Sequence, residues 1–273
     1  MLNSKIFMKS KINYFLIVIF LTGIMSGCNP EKNDSVKANN DYLLLSTLFQ
    51  QKAAERRALS YQAFNIAKLR LDNELRKAGL TLTLAVVVDI DETVLDNSPF
   101  EAKGIIENSD YPKYWDEWCA LASARPLAGS VEFLNYAKSK GVVVFYITNR
   151  KINLLAVTLK NLKEKGFPYA DEEHVLMKTD DSNKDSRRDI VTANHHIVFF
   201  MGDNLGDFMH VFDNKKIDER FSLTDKYKNE FGNKFIVLPN PMYGSWANEL
   251  INNNYNLSKK EKIDLLKKQL VDF

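Results

Sequence analysis

What most constrains this chain is the run Leu84-Ala-Val-Val-Val88, which ends abruptly in two acids, Asp89 and Asp91, with only Ile90 between them. A continuous, valine-rich apolar stretch without alternation predicts a strand buried on both faces, and such strands belong to parallel sheets. In open parallel sheets ligands bind at the carboxyl ends of the strands. Two carboxylates at that place point to chemistry. The stretch alone is equally compatible with a core strand running into an acidic surface turn.

The same pattern recurs downstream. Val142-Val-Val-Phe-Tyr-Ile-Thr148 predicts a second buried strand, delivering Thr148, Asn149 and Arg150. Ile197-Val-Phe-Phe-Met201 predicts a third, running into Gly202-Asp-Asn-Leu-Gly-Asp207, and Lys234 to Leu238 a fourth that stops at Pro239. Glu173 to Met177 reads as a short strand. Helical signals fall between them: Gly129 to Lys140, with Lys138 and Lys140 in its last turn and Gly141 just after; Leu155, Leu159 and Leu162 before Gly166; and Asp185 to Asn194. Strands alternating with helices argue an α/β fold, a doubly wound, mostly parallel Rossmann-like sheet. Asp41 to Leu80, with Phe64, Ala67, Leu71 and Leu75 at helical spacing, predicts one or two long helices closed by Gly79. With the aromatic stretch 97–125, residues 41–80 are expected to form a small, mainly helical cap on a single domain spanning 41–273.

Three strand ends therefore carry Asp89 and Asp91, then Thr148 and Asn149, then Asp203 and Asp207, and Lys184 closes the polar stretch Lys178-Thr-Asp-Asp-Ser-Asn-Lys184 between the last two. Four acids on one sheet edge repel strongly at low effective dielectric unless a cation sits among them. All-oxygen donors suit Mg²⁺, which keeps some waters and binds substrate phosphate. Lys184 and the Thr148 hydroxyl then make sense as phosphate ligands. Each residue alone has a plainer reading, Thr148 as a strand residue, Lys184 as a solvated helix start, Asp203 as part of a turn. Their order at successive strand ends favours a site.

Val87-Val-Asp-Ile-Asp-Glu-Thr-Val-Leu-Asp-Asn97 and Gly202-Asp-Asn-Leu-Gly-Asp-Phe208 resemble the paired-aspartate signatures of the bacterial class C non-specific acid phosphatases, lipoproteins of the haloacid dehalogenase superfamily. The resemblance runs from about Ala63 to Trp246 and takes in Tyr146-Ile-Thr-Asn-Arg150, Ser182-Asn-Lys184 and Leu238-Pro-Asn-Pro-Met-Tyr-Gly-Ser-Trp246. The chain departs from the pattern at Phe100, where the family usually has Tyr, and at Phe199 and Met201, where smaller or branched aliphatics are usual. The resemblance implies a haloacid dehalogenase-like fold and a phosphoric monoester hydrolase using one Mg²⁺ per active site. It implies Asp89 as nucleophile, forming an aspartyl-phosphate, and Asp91 as general acid and base. Thr148 and Asn149 would hold the phosphoryl oxygens, and Lys184 would neutralise charge on them and on Asp89. Mg²⁺ would be held by Asp89, the backbone carbonyl of Asp91 and Asp203, with Asp207 as direct ligand or as the group orienting one.

The family includes 5′-nucleotidases, and Trp115 in the aromatic insert and Tyr243 near the end are candidate stacking faces for a nucleobase. Aromatics at helical spacing fit a packed cap equally well. Asp96 reads as a helix cap or hydrogen-bond partner. His174, His195, His196 and His210 show no ligand spacing around the acids, and Cys119, within Trp115-Asp-Glu-Trp-Cys-Ala-Leu121, reads as a buried small hydrophobe.

Residues 1–27 carry Lys5, Lys9 and Lys11, no acid, and an apolar run from Tyr14 to Met25. A helix of about 12 residues spans about 18 Å, short of the roughly 30 Å hydrocarbon core, so the segment reads as a signal peptide. Met25-Ser-Gly-Cys28 resembles the lipobox of bacterial lipoproteins, implying lipidation of Cys28, and polar residues 28–40 suit a tether. The expected location is the bacterial cell envelope, lipid-anchored at the outer membrane of a diderm or at the outer face of the cytoplasmic membrane. Without the three signal lysines, the 37 basic residues become 34 against 35 acidic ones, and the formal charge passes from +2 to −1. That balance gives no electrostatic case for polymeric nucleic acid. The expected partners are small phosphomonoesters, nucleotides among them, and the membrane through the lipid, with a homodimer open. Two other functions stand beside hydrolysis: phosphoryl transfer to an alcohol acceptor, and a catalytically inactive, lipid-anchored binding protein.

Overall fold

The computed structural model describes residues 39–77 and 82–273. The expected signal peptide, Cys28, most of the tether and Gly79 lie outside the described residues. Valine-rich β1 (Thr83–Val88) takes the middle of the main sheet because nearly every residue in it can be covered from both sides. The other strands are β2 (Leu95–Asp96), β3 (Arg125–Pro126), β4 (Val143–Lys151), β5 (Val175–Lys178), β6 (His195–Gly202) and β7 (Phe235–Val237). The main sheet has the order β5-β4-β1-β6-β7 and is parallel at each pairing, while β2 and β3 form a separate antiparallel ladder.

This order places a topological switch at β1, because the chain winds to β4 on one side and to β6 on the other. Val88 is level with Tyr146 of β4 and with Met201 of β6. The residues just beyond, Asp89, Thr148 and Asp203, therefore emerge at neighbouring strand ends. The Asp89 amide still donates to the Met201 carbonyl at 2.9 Å, which carries the ladder one residue past β1.

The helices are α1 (Leu44–Lys52), α2 (Ala54–Leu75), α3 (Ser98–Ile106), α4 (Trp115–Ala120), α5 (Ser130–Ser139), α6 (Leu155–Glu164), α7 (Asp185–Thr192), α8 (Ile217–Lys226), α9 (Ser245–Leu250) and α10 (Lys259–Lys268). They cover both faces of the sheet. Val86 and Val88 point into one core with Phe64, Ala67 and Leu71 of α2 and Leu134 of α5, while Ala85 and Val87 point into the other with Val191 of α7, Phe208 and Phe235. That split is the period-two alternation of a strand. Among the described residues no helix is long and apolar enough to cross a membrane.

Three details differ from the sequence reading. Strand β4 runs past Thr148 to Lys151, with Asn149 exposed and Arg150 buried. Asn40, assigned by composition to the tether, is buried in the folded body and its amide donates to the carbonyls of Gly104 (3.2 Å) and Ser109 (2.9 Å). Within the stretch expected to form a cap, α1 packs on α3, whereas α2 lies on α5 and on β6 and β7. The departures from the family pattern are filled by packing: Phe199 is fully buried against Phe133, whose ring also meets Phe64, and Phe100 meets Trp115 edge-on at 5.0 Å.

Candidate active site

The turn after β1 closes on itself. The amides of Val94 and Leu95 both donate to the Ile90 carbonyl, at 3.0 and 2.9 Å, and the Glu92 amide donates to Leu95. Closing so tightly puts Glu92 in the left-handed region at φ 58, which costs a non-glycine residue some strain. The fully buried Glu92 side chain holds that conformation by accepting the Asn97 amide at 2.7 Å. Burial first, then the nearby Asp91 and Asp203, push the Glu92 carboxyl well above the usual range.

The turn after β6 is equally tight. A Cβ on Gly202 would lie 2.4 Å from the Asp207 side chain, so only glycine lets the 202–207 segment fold back. Asp207 accepts the Asn204 amide at 2.9 Å on one oxygen and Lys184 Nζ at 2.6 Å on the other. Lys184 also donates to Asp89 at 2.6 Å. With Lys184 only 4% exposed, this is a buried two-acid bridge. Asp203 completes the group, accepting Asn240 Nδ2 at 2.8 Å and the Thr93 hydroxyl at 3.4 Å.

One carboxylate oxygen from each of Asp89, Asp203 and Asp207 lies within 4.8 Å of the others. Lys184 does not balance all three. Burial raises Asp89 to about 7, with the Lys184 charge opposing and Asp207 and Asp91 adding to the rise. Asp203 is pushed well above its ordinary value by burial, then by Asp207 and Asp89. A buried all-oxygen set short of positive charge fits a hard divalent cation. Of the four acids expected to act together, three converge. The Asp91 carboxylate instead accepts Arg150 Nη2 at 2.7 Å and Nε at 3.0 Å, together with Asn97 Nδ2 at 2.7 Å.

Thr148 is fully buried, its hydroxyl accepting the Arg150 amide at 3.1 Å, and the Asn149 side-chain oxygen accepts Arg187 Nη2 at 2.8 Å. A cleft of about 1090 Å³ opens beside them, lined by Asn149, Lys184, Asn204, Asp207, His210 and Tyr255 among others, while Asp89, Asp91, Thr148 and Asp203 are not in its lining. Trp115 and Tyr243 do not line it. The Trp115 ring carries the Arg150 guanidinium at 5.5 Å from its centre, and the Tyr243 amide donates to Asn240 at 3.4 Å. Asp96 accepts the Ser98 amide at 3.0 Å at the start of α3, as its position in sequence suggests.

Sequence reasoning gave no role to Arg150, Arg187 or Asn240. Arg187 in Asp185-Ser-Arg-Arg188 looks like a solvated helix charge, yet it is 7% exposed and also reaches the Thr148 carbonyl. The signal for Arg150 was its place at the end of an apolar strand.

A parallel sheet with these acids at its central strand ends defines the class of the haloacid dehalogenase-like proteins. The family model for the HAD superfamily, subfamily IIIB (acid phosphatase) matches residues 29–246, and the chain belongs to that family. The structure of the class C acid phosphatase from Bacillus anthracis is 44% identical, with a TM-score of 0.83 over 86% of this chain and 98% of that one. A second structure of that enzyme, with tungstate bound, is 42% identical over the same shares with a TM-score of 0.82. Among plant relatives, a stem 31 kDa glycoprotein of Glycine max is 26% identical over 166 residues, and the chain spans 58% of its length.

The raised acids give a pH-dependent expectation. Asp89 binds a proton below about 7 in the folded chain against 3.8 for an ordinary aspartate, so without a cation stability falls as pH rises through that window. A bound divalent cation should relieve this most above pH ~7 and least near pH ~5. At 100-fold over its Kd it should add about 2.7 kcal/mol, a Tm increase of roughly 5–10 °C for a domain of this size. Thermal melts with and without the cation at the two pH values check it; an equal increase at both would contradict it.

Proposed function

We propose that the chain is a Mg²⁺-dependent phosphomonoesterase that works through an aspartyl-phosphate on Asp89. The observation carrying this is the Asp89–Lys184–Asp207 bridge at the end of β1, which sets a lysine-bonded carboxylate beside the strand end that carries Thr148 and Asn149. Asp89 attacks phosphorus, and the bond to the leaving oxygen breaks as the Asp89–phosphorus bond forms. Asp91, two residues on, supplies the proton to that oxygen. Asp91 then takes a proton from the attacking water as the water oxygen bonds to phosphorus and the bond from phosphorus to the Asp89 oxygen breaks, and inorganic phosphate leaves. Lys184 offsets charge on Asp89 and the phosphoryl oxygens, which Thr148 and Asn149 hold. Asp89, Asp203, Asp207 and the Asp91 carbonyl would hold Mg²⁺, which when bound draws charge from the phosphoryl oxygens.

Two further points support the phosphoryl site. A relative 42% identical has been solved with tungstate, a tetrahedral oxyanion shaped like phosphate. The acids and the lysine are all present and bonded, so nothing favours an inactive binding protein. Within this chemistry 5′-nucleotides are the substrates we propose, with Trp115, packed against Phe100 and Tyr111, and Tyr243, bonded to Asn240, as the candidate stacking faces outside the cleft lining. The location that goes with this reading is the cell envelope, with lipid on Cys28. Labelling with a radioactive fatty acid tests it: label should enter the wild type and be absent from Cys28→Ser.

Phosphate release from a 5′-nucleotide and from an aryl phosphate tests the activity. Asp89→Asn should lose at least about 10³-fold in kcat, and EDTA should abolish turnover until Mg²⁺ is restored. Asp91→Asn should bind substrate nearly normally but lose about 10²–10⁴-fold in kcat. Activity that survives EDTA, or survives in Asp89→Asn, contradicts the proposal.

A further inference from the structure

The Asp91 carboxylate is held unevenly, mainly through one oxygen. Its Oδ1 accepts Arg150 Nη2 at 2.7 Å, Arg150 Nε at 3.0 Å and Asn97 Nδ2 at 2.7 Å, while Oδ2 receives only Arg150 Nε at 3.2 Å. Three donors saturate the first oxygen. The second keeps its lone pairs for another partner.

Arg150 is itself locked. Its side chain is 1% exposed, Nη1 donates to the Thr158 hydroxyl at 3.3 Å, Nη2 also reaches Asn97 Oδ1 at 3.3 Å, and the guanidinium lies over the Trp115 ring. Asn97 Oδ1 takes its main bond, at 2.8 Å, from the Trp118 indole N–H. Trp115 and Trp118 sit three residues apart on α4, so one short helix supports both groups that grip Asp91. A fork of this kind fixes the plane of a carboxylate, which a single point charge does not.

We infer that Arg150 is a positioning residue for proton transfer: with Asn97 and the α4 tryptophans it occupies Asp91 Oδ1 and turns Oδ2 toward the leaving oxygen. In the first step the proton passes from Asp91 Oδ2 to the departing alkoxide as the bond from phosphorus to that oxygen breaks. The aromatic insert thus serves the chemistry from behind the acid, whatever it also offers a nucleobase. This rests on the assignment of Asp91 as general acid.

Leaving-group dependence tests it in a way a merely structural role does not. 4-Nitrophenyl phosphate releases a stable phenolate that leaves without a proton, whereas β-glycerol phosphate releases an alkoxide that requires one. The value of kcat/KM, which reports the first step, is measured on both with the full-length protein. Arg150→Ala should lose about tenfold or more further on β-glycerol phosphate than on 4-nitrophenyl phosphate. Arg150→Lys should recover part of that selective loss. Trp118→Phe, which removes one N–H and keeps the ring, should show the same selectivity at smaller size, and it stands as the test if Arg150→Ala does not fold. Losses equal on the two substrates, or no loss in any variant, overturn the inference. Asp91→Asn separates the two levels: near-normal rates there overturn the general-acid assignment, while a selective loss in Asp91→Asn with none in the Arg150 and Trp118 variants overturns this inference alone.

Discussion

The rest of the structure depends on how three buried carboxylates are kept together at the end of one strand. At an effective dielectric of about 20, two like charges 4 Å apart repel by about 4 kcal/mol. One oxygen from each of Asp89, Asp203 and Asp207 lies within 4.8 Å of the others, close to that separation. Lys184 answers two of them from the start of α7, Asn240 donates to the third, and the remaining imbalance appears as raised carboxyls. A buried ion pair of this kind adds little net stability, because desolvation offsets attraction, but removing one partner typically costs about 3–5 kcal/mol. The bridge is thus better understood as the condition for keeping these carboxylates buried together at the strand ends.

The frame around the bridge follows from the same logic. Glycine at position 202 lets the segment after β6 double back onto itself, and the left-handed Glu92 lets the segment after β1 do the same. Both turns are tight because the acids must reach a common point from adjacent parallel strands. The two-sided burial of β1 makes those strand ends rigid, with Val86 and Val88 in one core and Ala85 and Val87 in the other.

Much of this was legible in the sequence because the signals were strong and local. Apolar runs ending in acids pointed to the strands, the parallel sheet and the positions of Asp89, Asp203 and Asp207, and the polar stretch 178–184 with the family resemblance pointed to Lys184. What was not legible depended on long-range partners. Arg150 and Arg187 have the composition of solvated charges, and only the fold shows each pinned under a carboxylate or a strand end. Asp91 was expected at the metal only through its backbone carbonyl, and what its side chain bonds to was not legible, because that partner, Arg150, lies 59 residues away. Trp115 looked like a stacking face, and the structure adds a cation beneath its ring. Helical spacing in residues 41–80 showed amphipathic helices but not that α2 would join the sheet layer while α1 packs on α3, since both carry an apolar stripe.

The central claim is that Asp89, held against Lys184, becomes covalently phosphorylated. The most direct measurement is acid quenching during turnover of a phosphomonoester, followed by proteolysis and mass spectrometry of the peptides. The account expects the mass of a phosphoryl group on the peptide containing Asp89, lost on brief treatment with mild base as an acyl phosphate would be. A phosphoryl group on a histidine or serine peptide, or an active enzyme that carries none under any quench condition, would contradict it.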